Sequence, residues 1–260
     1  MSRAAGAIAR LPVARGLRRP LWGFLGRRLG IDPATVPGDL RDYRCFLDLF
    51  TRPLPEGARP LELDGGWLSP ADGRLVARER VTPEGSWLVK GTPYATHELL
   101  PDADPEALRG YQALQVYLAP RDYHRYHAPC ALRVERATVA PGGLQPVDPG
   151  LVRRSMRVLE RNRRVLLHCR AEDGTPLWLL YVGALNVGGM RFTFDDTLGR
   201  PPFTRATRSY DPQPRLAPGE EMGRFEFGST VVLFAPASMR ARARVGDRVQ
   251  ARGALLEASP

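Results

Sequence analysis

Lysine is almost missing from this chain. Of its 38 basic residues only Lys90 is a lysine, and the rest are arginine. Cysteine is scarce as well. Cys45, Cys130 and Cys169 are scattered and odd in number, which excludes a disulfide framework and a four-cysteine zinc site and leads one to expect a reducing, cytosol-facing compartment. Long apolar runs are also lacking. The longest uncharged stretches, such as residues 175–190, are short and interrupted by glycine, so no bilayer-spanning helix is expected. Residues 1–31 contain no acid at all; the first is Asp32.

What is present points elsewhere. Glycine (26) and proline (25) each make up about a tenth of the 260 residues, which favours a turn-rich fold of short strands over a helix bundle. The net charge of +10 asks for an anionic partner, either nucleic acid or anionic lipid. Its distribution favours lipid. Residues 1–31 hold seven arginines interleaved with Ile8, Leu11, Val13, Leu17, Leu21, Trp22, Phe24, Leu25 and Leu29. They read as one or two basic amphipathic helices broken near Pro12 and Pro20. The recurring arginines and the absence of a continuous apolar core argue against a secretory signal. A helix docked on the protein's own core and a helix lying in the membrane interface both remain, with the interface preferred. No helix-turn-helix, RNA-binding or zinc-finger pattern follows, so no nucleic acid is expected.

Beyond residue 31, Leu40, Tyr43, Phe46, Leu47 and Phe50 recur at helical spacing before Pro53, predicting a core-facing helix. From about residue 61 the texture becomes short strands. Gln112 to Leu118, the alternation at Leu132 and Val134, Val165–Leu167, Leu177–Val182, the alternation at Met190, Phe192 and Phe194, and Val231–Phe234 are strand candidates. The expected class is α+β: a mostly antiparallel β core, sandwich- or barrel-like, with N-terminal and peripheral helices.

Three places could carry chemistry. His124 and His127 lie in Tyr123-His124-Arg125-Tyr126-His127, between Pro120 and Pro129. On a strand an i,i+3 pair points to opposite faces, so the two rings serve different partners. A metal site with Cys130 lacks a further ligand at suitable spacing, and no metal is expected; acid/base catalysis is preferred over a structural role. Asp72, in Ser69-Pro70-Ala71-Asp72-Gly73, either caps its own turn or orients a histidine. Gly228-Ser229-Thr230 precedes an apolar run. Its hydroxyl could attack the preceding carbonyl if a base removed the proton.

Taken in order, the segments resemble the phosphatidylserine decarboxylases, pyruvoyl-dependent enzymes made as a proenzyme. The resemblance rests on residues 48–54 (Asp-Leu-Phe-Thr-Arg-Pro-Leu), 69–73, Val89-Lys90-Gly91 with Tyr94, residues 118–129, Val182-Gly183-Ala184, and residues 219–225 running into Phe227-Gly228-Ser229-Thr230-Val231. It spans about residues 40–236. Two places depart from the family pattern: Asp148 stands where the family usually has Asn before Pro149, and Arg163 where it usually has an acid.

The resemblance implies a triad of Asp72, His127 and Ser229 acting on the chain's own backbone. His127 deprotonates Ser229, Asp72 holds the imidazole tautomer, and Ser229 attacks the Gly228 carbonyl. An ester then replaces the Gly228–Ser229 peptide bond, elimination from that ester releases residues 1–228 as one chain, and the new N-terminus of residues 229–260 hydrolyses, with loss of ammonia, to a covalent pyruvoyl cofactor at position 229. It further implies a Schiff base with the serine amine of phosphatidylserine, loss of carbon dioxide, return of a proton by His124, and phosphatidylethanolamine as product. The expected organisation is a membrane-associating segment, residues 1–31, and a catalytic domain, residues 32–260. The expected partners are an anionic phospholipid membrane and the two cleaved chains, with a homodimer left open. The expected location is peripheral, on the cytoplasmic face of the cell membrane. Three rivals remain: a pyridoxal phosphate enzyme built on Lys90, a decarboxylase of a related head group or small amino acid, and a non-catalytic membrane-binding module.

Overall fold

The computed structural model describes residues 2–82, 86–89, 92–95, 106–145, 158–184, 189–200, 203–226 and 229–258. Three helices come first: α1 (Ser2–Ala9), α2 (Arg15–Leu29) and α3 (Phe46–Phe50). The strands are β1 (Trp67–Leu68), β2 (Gly73–Arg80), β3 (Ser86–Val89), β4 (Thr92–Ala95), β5 (Tyr111–Leu118), β6 (Arg125–His127), β7 (Leu132–Ala140), β8 (Arg164–Ala171) and β9 (Pro176–Gly183). They continue with β10 (Gly189–Phe192), β11 (Ala206–Ser209), β12 (Arg215–Leu216), β13 (Glu221–Glu226), β14 (Ser229–Pro236), β15 (Arg240–Ala241), β16 (Arg248–Val249) and β17 (Ala254–Glu257).

The main sheet runs β11-β7-β8-β9-β14-β5-β2-β16, with β12 also on β7, and all its pairings are antiparallel. It is an open sheet and not a closed barrel, so the α+β reading holds and its barrel variant does not. The strands at its centre are apolar on both faces because both faces are covered. In β14, Val231, Leu233 and Ala235 enter one apolar cluster while Val232 and Phe234 enter another, and all five are fully buried. The first cluster also takes in Tyr126, Met190, Phe192, Met222 and Phe225 from a second sheet, β10-β13-β6. The two sheets therefore sandwich one core, knitted by aromatic contacts such as Tyr126–Tyr181 at 4.3 Å and Tyr126–Phe225 at 4.9 Å between ring centres.

The N-terminal helices depart from expectation in one respect. The chain does break near Pro12, but Pro20 lies inside α2. The residue whose carbonyl would face the proline ring is Gly16, near the helix start, so a single ladder bond is lost there. Neither helix stands apart. Trp22 is buried with Tyr43 and Leu49, and its indole nitrogen donates to the Tyr43 carbonyl at 2.8 Å. Ala9 packs on Leu47 and Phe50. The helix expected over residues 40–50 is instead a single 3₁₀ turn, Leu40–Asp42, followed by α3. Asp39 caps the first, accepting from the Arg41 amide, and the chain runs extended through Tyr43, which interrupts the helical period. Fully buried Arg52 ties this region together, donating to the Thr35 carbonyl and hydroxyl and to the Leu49 carbonyl.

Candidate active site

The histidine segment, the turn at Asp72 and Ser229 converge at one end of the main sheet. Ser229 opens β14, in register with Leu118 at the end of β5 and Gly183 at the end of β9. The chain between Pro120 and His127 follows β5 directly. The His127 amide donates to the Pro70 carbonyl, the Ala128 amide to Glu220, and the Phe225 amide to the His124 carbonyl. Residues 69–73, 118–129, 183, 219–226 and 229–230 are thus brought together by backbone hydrogen bonds. Gly73 is required there, because a Cβ at that position would sit 2.3 Å from the Tyr117 carbonyl oxygen.

His124 is fully buried against Phe50, 3.9 Å between ring centres. Its Nδ1 lies 2.8 Å from the Asp122 carbonyl. A carbonyl only accepts, so Nδ1 carries the proton and Nε2 is left with its lone pair. Nε2 is buried and has no partner. Burial also drives its pKa down to about 4, so the ring is neutral at pH 7. His124 precedes β6, so strand alternation does not govern its direction.

His127 is held in the same tautomer by other means. Its Nδ1 lies 2.9 Å from the Gly219 carbonyl, and its Nε2 accepts from the Tyr123 hydroxyl at 3.0 Å. Burial lowers its pKa, opposed by the Gly219 bond and by the charges of Glu221 and Asp72. The two rings do have different partners.

Asp72 is buried, and its carboxylate serves neither its own turn nor His127. Arg59 grips it with both Nε (3.1 Å) and Nη2 (2.7 Å), and the Ala251 amide donates to Oδ1 at 2.8 Å. The hydrogen bond expected to fix the His127 tautomer therefore comes from Gly219 in this structure, while Asp72 acts on the ring through its charge. Arg59, Tyr123, Gly219 and Phe50 were not read as site residues. Tyr123 and Gly219 stood inside the quoted segments; Arg59 carried no signal. Gly228, Lys90 and Asp148 lie outside the described residues. Arg163 stacks on the Phe203 ring, 3.1 Å from its centre, and the neighbouring Asn162 bonds Gln145 and Gly183. Cys45, Cys130 and Cys169 are free thiols.

With this geometry in place, the comparisons with known proteins are informative. The family described as phosphatidylserine decarboxylase matches residues 46–257. The phosphatidylserine decarboxylase proenzyme of Halorhodospira halophila is 37% identical over 243 residues, 92% of this chain and 82% of the relative. Those of Chromobacterium violaceum (38% over 219 residues, 82% and 75%) and Helicobacter pylori (37% over 199 residues, 75% and 73%) are similar too. The chain belongs to the phosphatidylserine decarboxylase family, and with it to the carboxy-lyases.

Proposed function

We propose that this chain converts phosphatidylserine to phosphatidylethanolamine and carbon dioxide, using a pyruvoyl group made from its own Ser229. The observation that carries the reading is the family match over residues 46–257, which takes in every segment that meets at the end of the main sheet.

The residues present fit such a group. The backbone of residue 229 is held on both sides by β5 and β9, and two buried polar atoms lack partners: Thr230 Oγ1 beside it in the chain and His124 Nε2. The pyruvoyl ketone supplies the electron sink for the pair left behind when carbon dioxide departs. In self-processing, Ser229 attacks the Gly228 carbonyl and its proton passes to His127 Nε2, the nitrogen left basic by the Gly219 bond; the Gly228–Ser229 C–N bond breaks as that proton is handed to the leaving nitrogen, and an ester joins the two segments until elimination parts them. Tyr123 occupies that nitrogen and so must relay the proton or swing away. Asp72, fixed by Arg59, favours the imidazolium through its charge. In turnover, a neutral His124 accepts before it donates. Nε2 takes a proton released by the head-group amine and returns it to the carbon that lost carbon dioxide.

Attachment to an anionic membrane, at the cytoplasmic face of the cell membrane, is supported by the surface of the N-terminal helices. Five of the exposed large apolar residues are Ile8, Leu11, Leu17, Leu21 and Phe24, interspersed with arginines, as an interfacial helix requires. Among the described residues no helix is long and apolar enough to cross a membrane.

The test is turnover by the purified full chain on phosphatidylserine in mixed detergent micelles. Carbon dioxide and phosphatidylethanolamine should appear together, and treatment with a carbonyl reagent such as phenylhydrazine should abolish both. Absence of carbon dioxide release from correctly cleaved protein would contradict the reading.

A further inference from the structure

In the second sheet three arginines stand on one rung. Arg191 of β10 is directly opposite Arg224 of β13, which is directly opposite Arg125 of β6. Directly opposed residues share a face, and like charges so placed are destabilising unless something neutralises them. Two of the three are neutralised within the chain. Arg125 makes a forked pair with Glu221, at 2.8 and 3.2 Å, and also donates to the Thr51 carbonyl. Arg191 pairs with Glu226 at 3.0 Å, and Glu226 is shared with Arg10 at the end of α1. Arg224, the middle one, has no carboxylate partner among the described residues. It is half-buried, and its Nε is enclosed without a hydrogen-bond acceptor, as is Nη1 of Arg191. A buried donor left unmade is costly.

Arg191, Arg224, Glu221 and Glu226 line a cleft of about 440 Å³ between α3, β10 and β13, with Arg10 also on its wall. Its four carboxylates do not compete for Arg224. Glu221 and Glu226 are matched as above, Asp196 pairs with Arg200 at 3.8 Å, and Asp48 accepts from the Arg44 amide. The cleft adjoins the reacting end of the sheet, since the residue after Arg224, Phe225, donates to the His124 carbonyl. It also meets the arginine-rich arm through Arg10.

We propose that this cleft binds the phosphodiester of the glycerophospholipid substrate, with Arg224 donating to a non-bridging oxygen and Arg191 Nη1 beside it. The proposal rests on the reading of the chain as a phosphatidylserine decarboxylase. A tetrahedral anion between two guanidinium groups would satisfy both orphaned donors and neutralise the middle of the rung. It would also place the rest of the head group toward His124.

The test compares the full chain with Arg224→Gln and Arg224→Lys on phosphatidylserine in mixed micelles. Loss of a charge-assisted contact predicts a KM higher by about ten- to a hundredfold in Arg224→Gln, with kcat within about threefold and self-cleavage complete. Arg224→Lys should recover part of the loss. Soluble glycerophosphoserine should compete with substrate for the unaltered chain and at least about tenfold more weakly for Arg224→Gln. An unchanged KM, or competition by inorganic phosphate as strong as by glycerophosphoserine, overturns the assignment; the latter would mark a general anion site. If Arg224→Gln does not fold, Arg224→Lys decides, because an unchanged KM there together with no competition by glycerophosphoserine also overturns it. If the unaltered chain releases no carbon dioxide, the proposed function fails separately. Calorimetric binding of glycerophosphoserine to the full Ser229→Ala chain, lost on adding Arg224→Gln, then supports the cleft by itself, and no binding overturns it.

Discussion

The central strand β14 and the N-terminal helices use apolar residues in opposite ways. In β14 every side chain from Thr230 to Ala235 is fully buried, and the strand is bonded along its length to β5 and, through Phe234, to β9. In α1, α2 and the turn between them, Ile8, Leu11, Leu17 and Phe24 are each more than half exposed, although Ala9 and Trp22 fasten the helices to the body. The first arrangement gives a rigid frame that fixes the site. The second leaves large apolar side chains in water beside the arginines of the same segment. Docking on the protein's own core and the proposed attachment to a membrane are therefore compatible, because the same helices carry both the buried and the exposed apolar residues.

The variants that test this contrast fall in order of size. Ser229→Ala should leave the chain whole and inactive, scored by denaturing gel and carbon dioxide release. Next come the histidines. His127→Ala should block cleavage, because the nucleophile loses its base. His124→Ala should still cleave, yet lose about 10²- to 10⁴-fold in turnover. Normal cleavage in His127→Ala would reverse the division of roles.

Arg59→Leu removes the clamp on Asp72 and leaves a buried carboxylate with only the Ala251 amide. The expected loss is about 3–5 kcal/mol of folding stability, read from the urea midpoint. A midpoint that does not move would mean that water already screens Asp72.

The buried histidines also make the frame sensitive to acid. Burial depresses the pKa of His124 from 6.5 to about 4 and lowers that of His127. The unfolded chain therefore binds more protons than the folded one between about pH 6.5 and 4, and stability falls as pH falls through that window. His124 alone contributes about 3 kcal/mol to this loss. Thermal unfolding followed from pH 7 to 4 should show the decline, and His124→Gln should flatten it.

The smallest effect on the frame belongs to the arm. Leu17→Ser with Phe24→Ser should leave folding stability within about 0.5 kcal/mol, because both side chains are exposed. The same pair should weaken flotation with anionic vesicles by about tenfold or more. This is sharper than deleting residues 1–31, which would also uncover Leu49 and Tyr43 beneath Trp22. Equal flotation of the double variant would assign docking to another surface.

Much of the frame was legible in the sequence. Val231–Phe234 and Leu177–Val182 are apolar runs because β14 and β9 are covered on both faces, and such runs bounded by glycine and proline announce buried strands. The histidine segment and Gly228-Ser229-Thr230 stood out by residue type and order, and the structure brings His124, His127 and the backbone of residue 229 to the same end of the main sheet. Three things were not legible. Helical spacing across Leu40 to Phe50 misled, because the Asp39 cap and the extended backbone at Tyr43 divide the segment, and periodicity does not register a cap. Pro20 misled in the opposite sense, since a proline near a helix start removes a single ladder bond. The pairing of Asp72 with Arg59, and of His127 with Gly219 and Tyr123, depends on contacts that no periodicity or spacing encodes.

The central claim is that this chain breaks its own backbone before β14 and keeps the released segment in the sheet. Intact-mass measurement of the purified full chain, under native and then denaturing conditions, tests it most directly. The account predicts one assembly natively, because β14 is held between β5 and β9 and because Ala251 and Arg248 bond Asp72 and Asp122 across the break. It predicts two species on denaturation, residues 1–228 and a partner of residues 229–260 blocked at its N-terminus. A single unbroken chain in protein that releases carbon dioxide from phosphatidylserine would contradict it.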